Sequence, residues 1–291
     1  LGCPFYKEKD GHPFKDAVAL VKLTQFIRRG RWDIVHTHSS KAGILGRMAA
    51  KLAGTPVVLH TAHGWAFDRE QPATVRALYV ALERFAGSLS HALVAVSVPG
   101  REAALGLGIG RRPQYHIIRE GVEIEPFANV AMGRIEARER LGLPREALVI
   151  GNVGRLSSPK CPLDMVNAFA PLARSRPEAR LVLVGDGPDR AQVEALIAGL
   201  GLAKQVLLTG LRRDVAEIQP AFDLYLFASR WEGLPRVLVQ AMAAGLPIIA
   251  TDVGGVSDAA VDGENGYLVP AGDSVGMGRR LIELTDDPAL A

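Results

Sequence analysis

A chain of 291 residues with 48% hydrophobic and 22% charged residues has the apolar content for one large core or two ordinary ones, which excludes an intrinsically disordered protein. No run approaches the roughly 18 uncharged apolar residues of a bilayer span, and no basic segment leads into an apolar signal core, so a cytoplasmic location is expected. Two cysteines, Cys3 and Cys161, lie far apart and outside any metal-ligand spacing, which argues against a disulfide framework or a zinc site.

The net charge of +3 divides unevenly. Residues 1–130 hold 17 Lys+Arg against 11 Asp+Glu, whereas residues 131–291 hold 17 against 20. A basic first half suits a phosphate-bearing substrate or an anionic membrane surface, or it is simply a solvated face. Its cations are scattered and not interleaved with aromatics, so nucleic acid is not an expected partner.

In chain order, short β-branched runs at 33–36, 56–60, 92–96, 115–118, 148–152, 180–184, 205–208, 222–227, 247–250 and 266–269 predict strands. Helical periodicity fills 41–53, 75–86, 162–173, 190–200 and 236–244. Such alternation predicts parallel sheets covered on both faces. Before the first strand, the chain opens on Leu1 and a polar loop rather than a buried strand, which leads us to expect a fragment. The rhythm pauses between Gly121 and Glu146, then restarts. The expected organisation is therefore α/β, with an N-terminal domain over 1–130, a linker over 131–146 with a short helix at 135–141, and a second domain over 147–291. Ligands of such sheets sit beyond the carboxyl ends of strands, here in a cleft between two facing domains.

Distinctive residues do follow strands. After the first, Val35-His36-Thr37-His38-Ser39-Ser40-Lys41 offers His38, Ser39 and Lys41 as acceptor-side candidates, with His36 read as structural. After the second comes His63, followed by Gly64, whose neutral imidazole can hydrogen-bond a sugar hydroxyl without adding charge. A metal is the competing reading, but no carboxylate joins the histidines at ligand spacing. In Gly151-Asn152-Val153-Gly154-Arg155-Leu156-Ser157-Ser158-Pro159-Lys160, the planar fork of Arg155 and the mobile charge of Lys160 can clamp a diphosphate, with Gly154 beside them. Alone, each cation would pass for a surface charge.

The Val184-Gly185-Asp186-Gly187-Pro188 run has too few glycines to support a dinucleotide fingerprint. Gly210 and Val215 flank a turn that can present backbone to a nucleobase or simply open a helix with Asp214 as its cap. The stretch Glu232-Gly233-Leu234-Pro235 opens a helix whose unpaired amides suit a phosphate, with Pro235 in the first turn and Gln240 further along the same helix. Glu232 and Gln240 can address a sugar and a ribose; otherwise they are a cap and a surface amide.

Taken in order from His36 to Val269, these segments resemble family-4 retaining glycosyltransferases of GT-B architecture, two facing Rossmann-like domains around a central cleft. The 38–43 and 61–65 runs are similar to those of bacterial enzymes of capsule, exopolysaccharide and lipopolysaccharide synthesis. The resemblance implies metal-independent transfer, with retention and without a cofactor, from a nucleotide-sugar, as a rule a UDP-sugar. The basic first half favours a polyprenyl-diphosphate-linked acceptor at the cytoplasmic leaflet, with a soluble saccharide acceptor left open. The resemblance implies that Arg155 and Lys160 bind the diphosphate, that Glu232 is the first acid of a Glu-x7-Glu signature at the donor sugar, and that Gly233, Leu234 and Pro235 adjoin the phosphates. It also implies that His63 lies near the sugar and that Gly210 and Val215 hold the base.

The chain departs from the family pattern at several points. Gln240 replaces the signature's second acid, Cys161 stands where glycine is usual, and Arg119-Glu120-Gly121 replaces an Asn-Gly turn. The family's first strand and glycine-rich acceptor loop have no counterpart, so a truncated N-terminal domain is expected. These changes leave a non-catalytic nucleotide-sugar-binding protein as the alternative.

Overall fold

A computed structural model describes residues 13–65 and 71–287, so the polar loop expected directly after Leu1 lies outside the described residues. The chain forms two compact units, Leu1–Glu120 and Gly121–Ala291. In the first unit α1 (Pro13–Gly30), β1 (Ile34–His38), α2 (Ser40–Ala53), β2 (Val57–Ala62), α3 (Ala73–Ser88), β3 (Ala92–Ala95), α4 (Val98–Gly106) and β4 (Tyr115–Ile117) alternate. The second continues with α5 (Glu125–Ala128), α6 (Arg134–Arg140), β5 (Leu148–Val153), α7 (Pro162–Ser175), β6 (Ala179–Val184), α8 (Arg190–Gly199), β7 (Val206–Gly210) and α9 (Val215–Ile218). It ends with β8 (Leu224–Phe227), α10 (Arg236–Ala243), β9 (Ile248–Thr251), β10 (Tyr267–Val269) and α11 (Ser274–Asp286).

Every expected strand forms within two residues of its predicted ends. The helices α1, α4, α5 and α11 were not anticipated, and α9 was anticipated only as one of two readings of the 210–215 turn. For α1 a signal existed: Leu20, Leu23 and Ile27 recur at helical spacing and pack against Ala49, Ala50 and Val58, and two arginines close the last turn where the helix dipole favours cations. The short helix expected at 135–141 within the 131–146 linker forms as α6, and its Ala137, like Leu141 and Leu143 after it, is buried in the second unit's core. Chain division accordingly falls at Glu120, before the predicted 130.

The second unit's sheet is parallel, in the order β10-β9-β8-β5-β6-β7. Strand residues alternate between its two faces. Leu181 and Leu183 of β6, with Leu224 and Leu226 of β8, join Phe169 and Leu281 on one face. Val182 and Val184, with Tyr225 and Phe227, join Ala137 and Leu238 on the other. Burial on both faces explains why these strands read as continuous apolar runs. From β5 the chain winds outward through β6 and β7, then returns to place β8 on β5's other side. The β5–β8 ladder registers at Ile150↔Leu224 and Gly151↔Tyr225. The space a side chain at Gly151 would need is filled by the Phe222 ring, 2.1 Å from an ideal Cβ. Further along, Val153 N donates to the Tyr225 hydroxyl at 3.1 Å and that hydroxyl lies 3.2 Å from the Val153 carbonyl, so a side chain bridges the strands near the point of divergence.

The first unit's parallel sheet runs β1-β2-β3-β4. Its least ordinary feature is an ion pair between Arg47 of α2 and Glu83 of α3, 2.7 Å apart and with side chains 0% and 1% exposed. Arg47 Nε also donates to the Gly43 carbonyl at 3.0 Å. Burial raises the Glu83 pKa, and the adjacent guanidinium opposes that rise. His60 lies nearby, its Nδ1 2.9 Å from the Thr37 hydroxyl. Burial foremost, then the charge of Arg47, lowers its pKa to about 3.

Two outcomes are expected. Removing one partner strands a buried charge, so Glu83→Ala should lower unfolding free energy by about 3–5 kcal/mol in urea titrations, whereas a loss under about 1 kcal/mol would show that the pair is dispensable. For His60, the unfolded chain takes up a proton near its ordinary value of 6.5 while the folded chain does so only near 3. Unfolding therefore binds protons across that interval, and stability falls as pH drops through it, by at most about 1.4 kcal/mol per pH unit. Urea midpoints compared between about pH 7 and about pH 5 should show a smaller slope in His60→Gln; equal slopes would exclude this origin.

Candidate active site

In the second unit the reversal of winding sets two strand exits side by side, those of β5 and β8, and a crevice at such a switch point is where ligands bind. The β5 exit is Gly154-Arg155-Leu156, then a turn of 3-10 helix at Ser158–Lys160 that leads into α7. Its course is held from below by β6's exit. Gly154 N donates to the Val184 carbonyl at 2.9 Å and Leu156 N to the Asp186 carbonyl at 3.1 Å. Gly185 and Gly187 make this approach possible, since an ideal Cβ on either would lie 2.0 and 2.1 Å from the carbonyl oxygens of Gly154 and Leu156.

The two exits are joined directly. Lys160 Nζ lies 2.5 Å from Glu232 Oε1, with side chains 32% and 11% exposed. Arg230 N also donates to the Pro159 carbonyl at 2.9 Å. Glu232 is seated by a third exit, after β9: Gly254, at φ +52°, lies so close that an ideal Cβ would stand 1.9 Å from the Glu232 carbonyl oxygen. Thr251 donates to the Ser229 carbonyl at 2.5 Å on the same side. Gly233 follows, Leu234 and Pro235 are buried, and α10 begins at Arg236. Pro235 is thus the residue capping the helix rather than a member of its first turn. Gln240 lies half-buried one turn into α10, its amide bonded to no described residue.

Arg155 is exposed and lines an open depression of about 720 Å³ together with Gly154, Val184, Leu211, Arg212 and Val215. Apolar side chains, main chain and the Asp186 carboxylate surround one guanidinium that is unpaired among the described residues, Arg155; the other, Arg212, is held bidentately by Asp214 at 2.6 and 2.8 Å. That pairing lowers the Asp214 carboxyl's pKa and raises the Arg212 guanidinium's, and it employs Asp214 in place of the helix cap considered for it. Gly210, at φ +70°, precedes Leu211 of the depression's lining, its carbonyl accepting from Gly185 N at 2.9 Å. Of the predicted residues of this unit, Lys160 pairs with Glu232, while Gly154, Arg155 and Val215 line the depression, which neither Lys160 nor Glu232 lines.

In the first unit, His38 ends β1, and His63 follows β2. The β1–β2 register sets His38 against Thr61. His38 Nδ1 lies 2.9 Å from His63 Nε2, and the two rings stack with centroids 5.2 Å apart. On its other side His63 Nδ1 meets the carboxylate of Glu120, beyond β4. His36 pairs with Thr61 at 2.8 Å and its ring centroid lies 4.3 Å from that of His38. Burial foremost, then neighbouring histidines, lowers the pKa of His36 and His38. Ser39 starts α2 at φ 62°, a strained setting for a residue with a Cβ, and caps nothing with its side chain. Lys41 reaches Asp16 of α1 at 3.0 Å. Sequence reasoning gave Glu120 no role; its only mark was its place in a segment departing from the family turn. Among the described residues no three His, Cys, Asp or Glu side chains are grouped to hold a metal, and no helix is long and apolar enough to cross a membrane.

Comparison with known proteins gives the family. Residues 1–121 match a glycosyl transferase 4-like domain, and residues 133–291 match glycosyl transferases group 1. The chain is 34% identical over 280 residues to the Escherichia coli UDP-Gal:alpha-D-GlcNAc-diphosphoundecaprenol alpha-1,3-galactosyltransferase, covering 95% of this chain and 72% of that protein. It is 31% identical to the 2-deoxystreptamine glucosyltransferase of Streptomyces kanamyceticus, covering 94% and 73%. Among solved structures, Anabaena Alr3699/HepE in complex with UDP and glucose superposes with a TM-score of 0.83 at 24% identity, over 98% of this chain and 76% of that one. With two Rossmann-like α/β units in a GT-B-like fold, the chain belongs to the glycosyl transferases group 1 family and is a glycosyltransferase.

Proposed function

We propose that the protein moves a sugar from a UDP-sugar to a saccharide or polyprenyl-diphosphate-linked acceptor in cell-surface polysaccharide synthesis, with retention at the anomeric carbon, as in the family-4 enzymes it resembles. The observation that carries this reading is the joined pair of strand exits: a lysine paired with a carboxylate, and an arginine facing an apolar depression, at the switch point of one sheet. The Escherichia coli relative, by its name, uses UDP-Gal and a diphosphoundecaprenol-linked GlcNAc. The Anabaena structure holds UDP and glucose. On this reading an inner-membrane surface would be where the basic first half meets a lipid-linked acceptor.

In the donor complex Val215, Gly154 and Gly210 frame the base, Gln240 meets the ribose, and Arg155, Lys160 and the amides of Gly233 and Leu234, beside Pro235, hold the diphosphate. Glu232 meets hydroxyls of the donor sugar. Its pairing with Lys160 leaves two ammonium N–H groups for phosphate oxygens. In the first unit His63 contacts the donor sugar, with His38, Ser39 and Lys41 on the acceptor side. The reaction is front-face displacement: the bond from anomeric carbon to diphosphate oxygen breaks, the acceptor oxygen bonds to the same face, and its proton passes to the departing oxygen. Arg155 and Lys160 stabilise the charge growing there. No protein nucleophile takes part.

Turnover with UDP-galactose and a GlcNAc-diphospho-lipid tests the assignment. Arg155→Ala or Lys160→Ala should lower kcat by about 100- to 1000-fold, while unchanged turnover in both would remove the proposed clamp. Adding Glu232→Gln to Lys160→Ala separates the loss of the cation from the stranding of its carboxylate. Restoring a charged acceptor with Gln240→Glu should tighten UDP binding roughly fivefold by calorimetry; no change would place the ribose elsewhere.

A further inference from the structure

Hydrophobic side chains stand out from the first unit's helices in stripes rather than singly. On α3, Val75, Leu78, Leu82 and Phe85 follow one another at helical spacing and are between 37% and 59% exposed, while Val80, Glu83, Ala86 and Gly87 turn inward. On α1, Phe14, Val18 and Val21 form a second exposed stripe, opposite the Leu20, Leu23 and Ile27 side that packs on Ala49, Ala50 and Val58. Right-handed crossovers in the order β1-β2-β3 put α2 and α3 on one face of the sheet, and α1 joins that layer through α2. Both stripes therefore lie on the outer side of one helical layer, with the exposed Leu52 of α2 on the same layer. Scattered surface hydrophobics need no explanation, but aligned ones mark a surface that is covered in use.

The same layer is strongly basic. Helices α1, α2 and α3 carry nine Lys and Arg against two acids, Asp16 and Glu83. Both acids are already committed, to Lys41 at 3.0 Å and to Arg47 at 2.7 Å. Arg28 and Arg84 donate to the carbonyls of Leu52 and Leu107, which leaves their charge uncompensated. Lys22, Arg29 and Lys51 are exposed and pair with no carboxylate among the described residues. We propose that the outer side of the α1, α2 and α3 layer docks on an anionic lipid surface, its apolar stripes entering the headgroup boundary while its cations meet lipid phosphates. This deepens the lipid-linked acceptor reading above and rests on it. Docking confines the enzyme to the leaflet that holds a polyprenyl-diphosphate-linked acceptor, which raises the acceptor's effective concentration. A second copy of the chain fits less well, since a two-fold contact through this layer would set one basic surface against the same basic surface. A soluble polyanion would meet the cations and leave the stripes in water.

Co-sedimentation of the full chain with vesicles tests the surface. The parent should pellet with vesicles of phosphatidylglycerol and phosphatidylcholine in about equal parts, and about tenfold more weakly with phosphatidylcholine alone. Leu78→Ser combined with Leu82→Ser should weaken binding to the anionic vesicles by about tenfold or more, because two side chains lose their apolar burial. Lys22→Gln combined with Arg29→Gln should weaken it by a similar factor, at roughly fivefold per cation. All four positions are exposed, so urea midpoints should stay at the parent value, which separates lost docking from lost folding. Should the leucine pair lower the midpoint, Phe14→Ser with Val21→Ser repeats the test on α1. Absence of binding to anionic vesicles at about 50 mM salt, where screening is weak, overturns the proposal. Equal binding to both vesicle types overturns it too. Unchanged binding in the leucine variant would reduce the surface to a site for soluble polyanions, and a concentration-dependent dimer dissolved by that variant would assign it to a second copy; either result overturns the proposal. In transfer from UDP-galactose, the leucine variant should keep parent turnover on a short-chain GlcNAc-diphospho-lipid in solution. On a long-chain acceptor held in anionic vesicles it should lose about tenfold in kcat/KM. A parent that pellets with vesicles yet transfers no sugar to either acceptor refutes the glycosyl-transfer reading and supports the docking surface. A parent that transfers sugar in solution without pelleting refutes the docking surface alone.

Discussion

Between β5 and β8 the second sheet reverses its direction of winding, and the loops on either side of that reversal have no intervening strand to keep them apart. What joins them is a single charged contact, Lys160 with Glu232, reinforced by the main-chain bond from Arg230 to Pro159. A half-buried carboxylate beside a single ammonium group is a stable arrangement that still leaves hydrogen-bond capacity for a phosphate and a sugar. The sheet thereby supplies a crevice and the ion pair defines its floor.

Three glycines give this floor its shape. At 185, 187 and 254 the backbone of one strand exit presses on the carbonyl of another, closer than any side chain permits. The loops bearing Arg155 and Glu232 are thus held by main-chain contact, and the functional side chains need not bear the strain. Cys161 is the contrary case. It occupies φ 49°, where a Cβ costs about 1–2 kcal/mol, at the point where the Lys160 turn enters α7. Its buried thiol, 3.1 Å from the Ser158 carbonyl, packs in the core and offsets part of that cost.

The first unit divides its histidines by depth. His60 is buried beside the Arg47–Glu83 pair, where burial and a neighbouring cation keep it neutral, so it belongs to the architecture. His36 within β1, His38 at its end and His63 after β2 face solvent, with His38 joined to His63 and His63 to Glu120. Alternation along a parallel strand produces this separation: each second residue turns to the opposite face until the strand ends.

The residues by themselves determined the alternating strands and helices, the α/β class and the strand-exit motifs, because apolar periodicity and glycine placement are local and a parallel sheet buried on both faces writes them plainly. They also named Arg155, Lys160, Glu232 and the histidines. They did not show that 131–146 belongs to the second core, since the burial of Ala137 and Leu141 depends on partners that include β8, far along the chain. Nor could they show which His63 nitrogens were spent. Glu120 lies 57 residues from His63, and only the pairing of β2 with β3 and β3 with β4 brings them together. Tertiary structure alone decides such contacts, because hydrogen-bond partners are chosen by proximity in space, which sequence spacing does not encode beyond a helical turn or a hairpin.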